Sequence, residues 1–247
     1  MNRYLKRAKL RGAVPSILAA GGILTLLLTA VLCDPSYAGT ASIVSSFRSP
    51  CRNAAGIDYH GGYIYHGDGR DYIYRTTTAG SVLDSYVVGG ASSGIDRTDL
   101  EFWTCNRGGI IFRLSTSGSI IRTIEVPVYG YGITYGEGFL WYPDISRHIY
   151  KLTVNGSIVN SFLIPSVAQD VYWDAPYLWV NCQTKIYLIT QTGFVLDSFP
   201  TVSTAYGVTR DGSYLWYSTT DNWVYKTQLN FTPVAPASLG QIKTLYR

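Results

Sequence analysis

The stretch from Gly132 to Gln169 reads GITYGEGFLWYPDISRHIYKLTVNGSIVNSFLIPSVAQ, and it decides the fold. It holds four short apolar runs separated by turn signals, among them Gly136-Glu137-Gly138 and Asn155-Gly156, which favour tight hairpin turns. Alternating side chains within the runs are typical of strands with unlike faces. The stretch therefore predicts four strands, at 133–135, 139–142, 148–152 and 157–162.

Relatives of this stretch recur along the chain. The residue that opens the unit and the ring that closes its second strand each return at intervals of 38, 38, 38 and 37 residues. These two series are Gly56, Gly94, Gly132, Asp170 and Gly207, and Tyr65, Trp103, Trp141, Trp179 and Trp216. Two registers that agree over five units establish a genuine repeat.

A four-stranded sheet of this size cannot bury its apolar face alone, whereas sheets stacked radially bury the faces between neighbours, as in a propeller. No helical period appears beyond the N-terminus. The sequence thus predicts an all-β, five-bladed β-propeller with four-stranded blades of about 38 residues.

The last unit loses the pattern before its fourth strand. Ser42–Phe47 matches Ser157–Phe162 in five of six positions, so we expect this N-terminal strand to complete the fifth blade and close the ring. Gly240–Tyr246 is the competing candidate for the same place.

The first residues resemble a targeting segment. Met1–Gly12 carries five basic residues and no acid, Ala13–Leu32 is a run of 20 uncharged residues, and Ser36-Tyr37-Ala38 forms a small-x-small site. This layout predicts a signal peptide at 1–38 cleaved after Ala38, with an uncleaved membrane anchor as the alternative. We therefore expect a secreted, periplasmic or cell-surface protein.

Removal of residues 1–38 changes the charge balance. The segment takes 5 of the 20 basic residues and 1 of the 16 acids, which leaves 15 of each and no net charge. We predict no nucleic-acid partner, and a membrane contact only through an uncleaved signal segment. The propeller then spans 39–229, and 230–247 forms a tail outside the repeat.

Three cysteines remain after the signal segment, Cys51, Cys105 and Cys182. Export permits a disulfide, but the number is odd and no metal-type spacing occurs. The sequence leaves free thiols and one disulfide as open alternatives.

In a propeller, the loops between strands two and three share one face with the loops that join the blades. Polar side chains from several units meet on this loop face, which makes it the default ligand-binding site. The candidates are His66, Asp68, Arg70, Arg107, Tyr129, Tyr131, Asp144, Arg147, His148 and Tyr206. The competing interpretation is that most of them are solvated turn residues.

No catalytic residue, metal ligand or cofactor is assigned. The sequence lacks a G-x-S-x-G elbow and a nucleophile with a placed base. We expect a non-enzymatic scaffold that binds a glycan, a small molecule or a protein. The alternatives are a metal-assisted lyase or hydrolase that uses His66, Asp68, Asp144 and His148, and an envelope protein attached by its C-terminal tail.

The units Gly132–Phe162 and Gly207–Tyr225 share the pattern G-[IV]-T, then [YF]-L-W, then [IV]-Y-K. In this they resemble secreted bacterial propellers of the NHL, YVTN and virginiamycin B lyase-like group, from Ile43 to about Lys226. The resemblance implies the propeller fold; the group includes lyases, lactonases and binding scaffolds. Its lyases use a His and acid site around a metal, which has no residue-by-residue match here.

Overall fold

The computed structural model describes residues 40–51, 54–90 and 92–230. In these ranges the chain forms twenty strands and no helix, so none of the described segments is a helix that could cross a bilayer. The strands are β1 Thr40–Arg48, β2 Ile57–His60, β3 Tyr63–Gly67, β4 Tyr72–Thr77, β5 Val82–Val87, β6 Gly94–Arg97, β7 Glu101–Cys105, β8 Ile110–Ser115, β9 Ile120–Glu125, β10 Thr134–Gly136, β11 Phe139–Pro143, β12 His148–Thr153, β13 Ile158–Leu163, β14 Asp170–Asp174, β15 Tyr177–Asn181, β16 Lys185–Ile189, β17 Val195–Pro200, β18 Ala205–Arg210, β19 Leu215–Thr219 and β20 Trp223–Asn230.

The strands form five antiparallel sheets of four, and the predicted five-bladed β-propeller is confirmed. Four blades take their strands in chain order, β2 to β5, β6 to β9, β10 to β13 and β14 to β17. The fifth has the order β1-β20-β19-β18, so the N-terminal strand completes it as predicted. Phe47 pairs with Val224 and Arg48 with Trp223. The competing segment Gly240–Tyr246, the signal segment and most of the C-terminal tail lie outside the described residues.

The core lies between neighbouring blades, because each sheet turns one face toward the preceding blade and the other toward the following one. Trp103 of the second blade, for example, packs in one cluster with Ile133 and Leu140 of the third. Trp173 of the fourth blade stacks on Trp141 of the third, with ring centroids 5.4 Å apart and planes 9° from parallel. Glycine is required at position 136, because a Cβ there would overlap the Trp173 ring. The Trp series therefore holds the blades together, as inter-sheet packing requires.

Every outermost strand contains a β-bulge, in which one extra residue faces the neighbouring strand. The extra residues are Val44, Leu83, Ile121, Val159 and Leu196. A bulge twists the free edge of a sheet and hinders pairing with another chain. The five bulges thus account for the consecutive apolar residues that interrupt the alternation of each outer strand.

Candidate functional site

The five innermost strands approach one another closely where the repeat opens. A Cβ on Gly94 would lie 2.6 Å from the Cα of Gly132, and one on Gly56 would lie 2.7 Å from the Cα of Gly94. Glycine is required at these positions because the next blade's backbone occupies the space of a side chain. The residues of this axial ring are Gly56, Gly94, Gly132, Asp170 and Gly207.

Asp170 is the only member of the axial ring with a side chain. Its carboxyl is buried; Oδ2 accepts a hydrogen bond from the Val208 N–H at 3.0 Å, while Oδ1 has no partner. Burial raises the pKa of Asp170 well above its ordinary value, because no bulk water stabilises the charged form. Burial therefore favours the uncharged form of this carboxyl in the axial ring.

Two residues further along the innermost strands, polar side chains link each blade to the next. Asp58 accepts the Arg97 N–H at 2.9 Å, and Asp96 accepts the Tyr135 N–H at the same distance. Thr134 and Thr209 accept N–H groups in the same way from Trp173 and Tyr59. Burial raises the pKa of Asp58 well above its usual value and that of Asp96 to about 6. These bonds satisfy the inner edges of the sheets, so the two carboxyls have a structural role.

A small cavity opens above the axial ring on the loop face, and we call it the axial mouth. Its lining residues are Ala55, Gly56, Ser93, Arg107, Tyr131, Gln169 and Tyr206, around a volume of about 10 Å³. Five of them, Ala55, Ser93, Tyr131, Gln169 and Tyr206, stand one residue before a member of the axial ring. Every blade therefore contributes one equivalent residue to the same cavity.

Arg107 is the charged residue of the axial mouth. It lies in the loop between β7 and β8, and its guanidinium carbon is 5.1 Å from the centroid of the Tyr131 ring, in a cation–π contact. The side chain of Asn106 fixes this loop by accepting the N–H groups of Gly108 and Ile110 at 2.9 and 3.1 Å. The loop thus holds the guanidinium over the ring.

The structure brings three of the ten predicted residues, Arg107, Tyr131 and Tyr206, together at the axial mouth. Arg70 and Tyr129 are exposed on the loop face without lining the cavity. Arg147 is exposed too and donates to the Pro165 carbonyl at 3.4 Å, and Nδ1 of His148 lies 3.9 Å from the Asp144 carboxylate. These residues form the surroundings of the mouth rather than its wall.

The expectation for His66 needs correction. Its ring is fully buried against Phe47, with Nε2 2.8 Å from the Thr76 hydroxyl and Nδ1 3.3 Å from the Ser49 hydroxyl. Burial lowers the pKa of His66 to about 3, so the imidazole is neutral. The residue pattern of this strand does not indicate that its histidine faces the core between two blades.

Asp68 and Asp144 are occupied by their own loops. Asp68 Oδ1 accepts the N–H groups of Arg70 and Tyr72, and Asp144 Oδ1 accepts those of Ser146 and His148. Such bonds stabilise tight turns. Among the described residues, no three His, Cys, Asp or Glu side chains come together in a way that could hold a metal ion.

Cys51, Cys105 and Cys182 are free, buried thiols. Burial raises the pKa of Cys51 and of Cys182 to about 12, and raises that of Cys105 further. A thiol with a raised pKa is a poor nucleophile, because the thiolate is the reactive form. None of the three is placed for covalent catalysis.

Sequence reasoning missed Ala55, Ser93 and Gln169. They are small or uncharged and differ from blade to blade, so none stands out by residue type. The signal that could have found them is their constant place in the repeat, one residue before the opening position. The close approach of the axial ring decides that this position faces the cavity.

No family model and no curated protein matches the sequence. Several solved structures, however, are similar to this chain. A glutaminyl cyclase from Myxococcus xanthus superposes with a TM-score of 0.68 at 15% identity, over 78% of this chain and 98% of that chain. A gluconolactonase from Xanthomonas campestris superposes with a TM-score of 0.52 at 10% identity, over 78% of this chain and 90% of that chain. Virginiamycin B lyase from Staphylococcus aureus superposes with a TM-score of 0.47 at 24% identity, over 72% of this chain and 66% of that chain. The chain therefore has the fold of bacterial β-propeller proteins.

Proposed function

We propose that the protein acts outside the cytoplasm as a binding protein that takes a small polar ligand at the axial mouth. The observation that carries the proposal is the convergence of one residue from each blade, with Arg107, on a single cavity. Convergent polar and aromatic groups in a concave site are the usual mark of ligand binding. Other surface polar groups of the loop face are mostly engaged in their own turns.

The side chains of the mouth suit a saccharide or a similar ring. Tyr131 and Tyr206 offer aromatic faces, and Gln169 and Ser93 offer an amide and a hydroxyl. Rings of tyrosine supply a large contact area with few rotatable bonds, so little conformational entropy is lost when a ligand binds. The cavity admits only a small group, so the body of the ligand would lie across its opening.

The arrangement gives less support to a metal-assisted lyase or hydrolase. His66 and Asp68 belong to the first blade and Asp144 and His148 to the third, and the imidazole of His66 is enclosed in the core. These four side chains do not converge on one point. The enzymes that share the fold show that such a scaffold can hold catalytic sites, but each site must be argued from its own residues.

Binding can be tested on protein exported by a secreting host, with its N-terminus read by mass spectrometry. That reading also tests cleavage after Ala38. A glycan array and a panel of small metabolites would be screened by thermal shift, because a ligand at 100 times its Kd adds about 2.7 kcal/mol to stability. We expect a ligand whose shift disappears in Tyr206→Ala.

Tyr129→Ala is the matched control, because Tyr129 is an exposed tyrosine of the same face that does not line the cavity. Its ligand response should equal that of the parent protein. Loss of binding in Tyr129→Ala with retention in Tyr206→Ala would move the site away from the axial mouth. Turnover of a panel compound would replace a binding role by an enzymatic one.

A further inference from the structure

Arg107 is the one lining residue of the axial mouth that carries a charge, and it has no acidic partner. None of the ion pairs among the described residues includes it. Its contact is with the face of Tyr131. By contrast, Arg48 and Arg147 donate to backbone carbonyls of neighbouring loops. The five N–H donors of the Arg107 guanidinium are thus available at the edge of the cavity.

The other polar side chains of the cavity wall can all donate a hydrogen bond, and none is a carboxylate. Ser93 and Gln169 are largely buried, at 6% and 7% exposure, and line the same cavity as Arg107. Ser, Gln and Tyr side chains can also accept hydrogen bonds, so Arg107 is the lining side chain that selects for a ligand group rich in acceptors. A carboxylate is such a group, and a guanidinium can bind both of its oxygens at once.

The size of the cavity restricts what can enter it. A volume of about 10 Å³ is close to the space that one water-sized probe needs. A sugar ring would not fit inside, whereas one oxygen of a substituent on that ring would. The ring itself would then lie against Tyr206 at the opening.

Asp170 is the acidic member of the axial ring, and it does not line the cavity. Burial raises the pKa of its carboxyl well above the usual range, because the charged form is desolvated. Arg107 has no ion-pair partner among the described residues. An anionic ligand would supply the missing negative charge.

We infer that the axial mouth recognises an acidic saccharide by its carboxylate, which Arg107 binds while the sugar ring packs on Tyr206. This inference rests on the proposed function and adds the class of ligand. It assigns charge selectivity to Arg107, which Tyr131 holds in place, and ring recognition to Tyr206, so the two roles can be separated by mutation.

The test compares glucuronate with glucose, which has a hydroxymethyl group where glucuronate has a carboxylate. Isothermal titration of the exported protein should give at least tenfold tighter binding for glucuronate. Arg107→Gln should lower the affinity for glucuronate at least tenfold and leave the affinity for glucose unchanged. Arg107→Lys should lose part of the affinity for glucuronate, because a lysine ammonium lacks the planar fork of the guanidinium. Thermal unfolding of each variant checks that it is folded.

Arg70→Gln is the control, because it removes the same charge from an exposed site on the same face outside the cavity. It should leave both affinities unchanged; an equal loss in both variants would mean nonspecific attraction and would overturn the inference. Equal binding of the two sugars, or binding of neither, would overturn it as well. The proposed function survives that result if a ligand from the wider panel still depends on Tyr206, and falls if none does.

Discussion

At the scale of single residues, glycine is required in this protein for two different reasons. Gly132 has no positive φ, but a Cβ there would lie 2.5 Å from the Cα of Asp170. Gly138 has a φ of 82° and open space around the position of a Cβ. One glycine is needed for close approach of two backbones, and the other for a left-handed turn conformation.

Substitution of these two glycines by alanine should have unequal costs. Gly138→Ala should cost about 1–2 kcal/mol, the penalty of the left-handed conformation for a residue with a Cβ. Gly132→Ala should cost about 3 kcal/mol or more, because the innermost strands of two blades must move apart. Urea unfolding measures both. Equal costs would mean that the axial backbones can separate easily and that the ring does not limit the packing.

At the scale of strands, closure of the ring depends on β1. Phe47 is 8% exposed, and its ring lies 5.8 Å from that of His66 and 6.4 Å from that of Trp216, measured between centroids. The strand joins residues near the start of the described chain to β20 near its end. Phe162 holds the equivalent place in the third blade, where its ring is 6.4 Å from Trp141.

Phe47→Ala should destabilise the protein by about 3–5 kcal/mol, the usual cost of removing a buried phenylalanine ring. Phe162→Ala is the comparison, because it makes the same deletion in a blade whose strands are consecutive in sequence. Only Phe47→Ala should also expose β1 to limited proteolysis, detected as cleavage after Arg48 under native conditions. Cleavage there in both variants, or in neither, would show that β1 is not the weak point of the ring.

The strands and the closure of the ring could be predicted because they depend on local patterns that recur five times. Ile158 to Phe162, with its turn glycine at Gly156, carries enough information to place the outer strand in every blade. The bulges were harder to predict from the sequence. Two consecutive apolar residues such as Ile120 and Ile121 do not show which of the two lacks a partner in the neighbouring strand.

The site was predicted at the level of a face rather than of residues. Arg107, Tyr131 and Tyr206 were found because they are polar or aromatic residues of loops that share one face, whereas Gln169 was missed because its type is ordinary. His66 was misplaced because strand direction alone does not fix which side of the sheet meets the neighbouring blade. Which side of a strand is buried depends on packing between segments that are distant in sequence. Ser49 and Thr76, for example, contact the two ring nitrogens of His66.

At the scale of the whole molecule, the centre of the propeller buries three carboxyls, Asp58, Asp96 and Asp170. Burial raises the pKa of each, that of Asp96 from 3.8 to about 6. The folded state therefore binds protons that the unfolded state releases between these values, and stability increases as the pH falls through this window. His66 acts in the opposite sense, because its pKa falls from 6.5 to about 3 and the unfolded state binds the proton first.

Between about pH 7.5 and 5 the effects of Asp96 and His66 oppose each other, so the raised pKa values of Asp58 and Asp170 decide the sign. We expect the free energy of unfolding to be larger at about pH 5 than at about pH 7.5. In this range the raised pKa of Asp96 contributes about 1.4 kcal/mol, because only the unit between about pH 6 and 5 falls within it. Urea unfolding across this pH range measures the effect. Asp96→Asn should reduce the gain at low pH while its amide oxygen still accepts the hydrogen bonds from Thr134 and Tyr135.

Asp71→Asn is the control for this experiment, because Asp71 is an exposed carboxylate of the loop face whose neutralisation leaves the buried centre unchanged. Its pH profile should follow that of the parent protein. A parent protein whose loss of stability between about pH 7.5 and 5 equals that of Asp96→Asn would show that Asp96 is ionised in the folded state over this range, because His66 contributes equally to both proteins. The second and third blades would then be linked by a charged acceptor at Asp96.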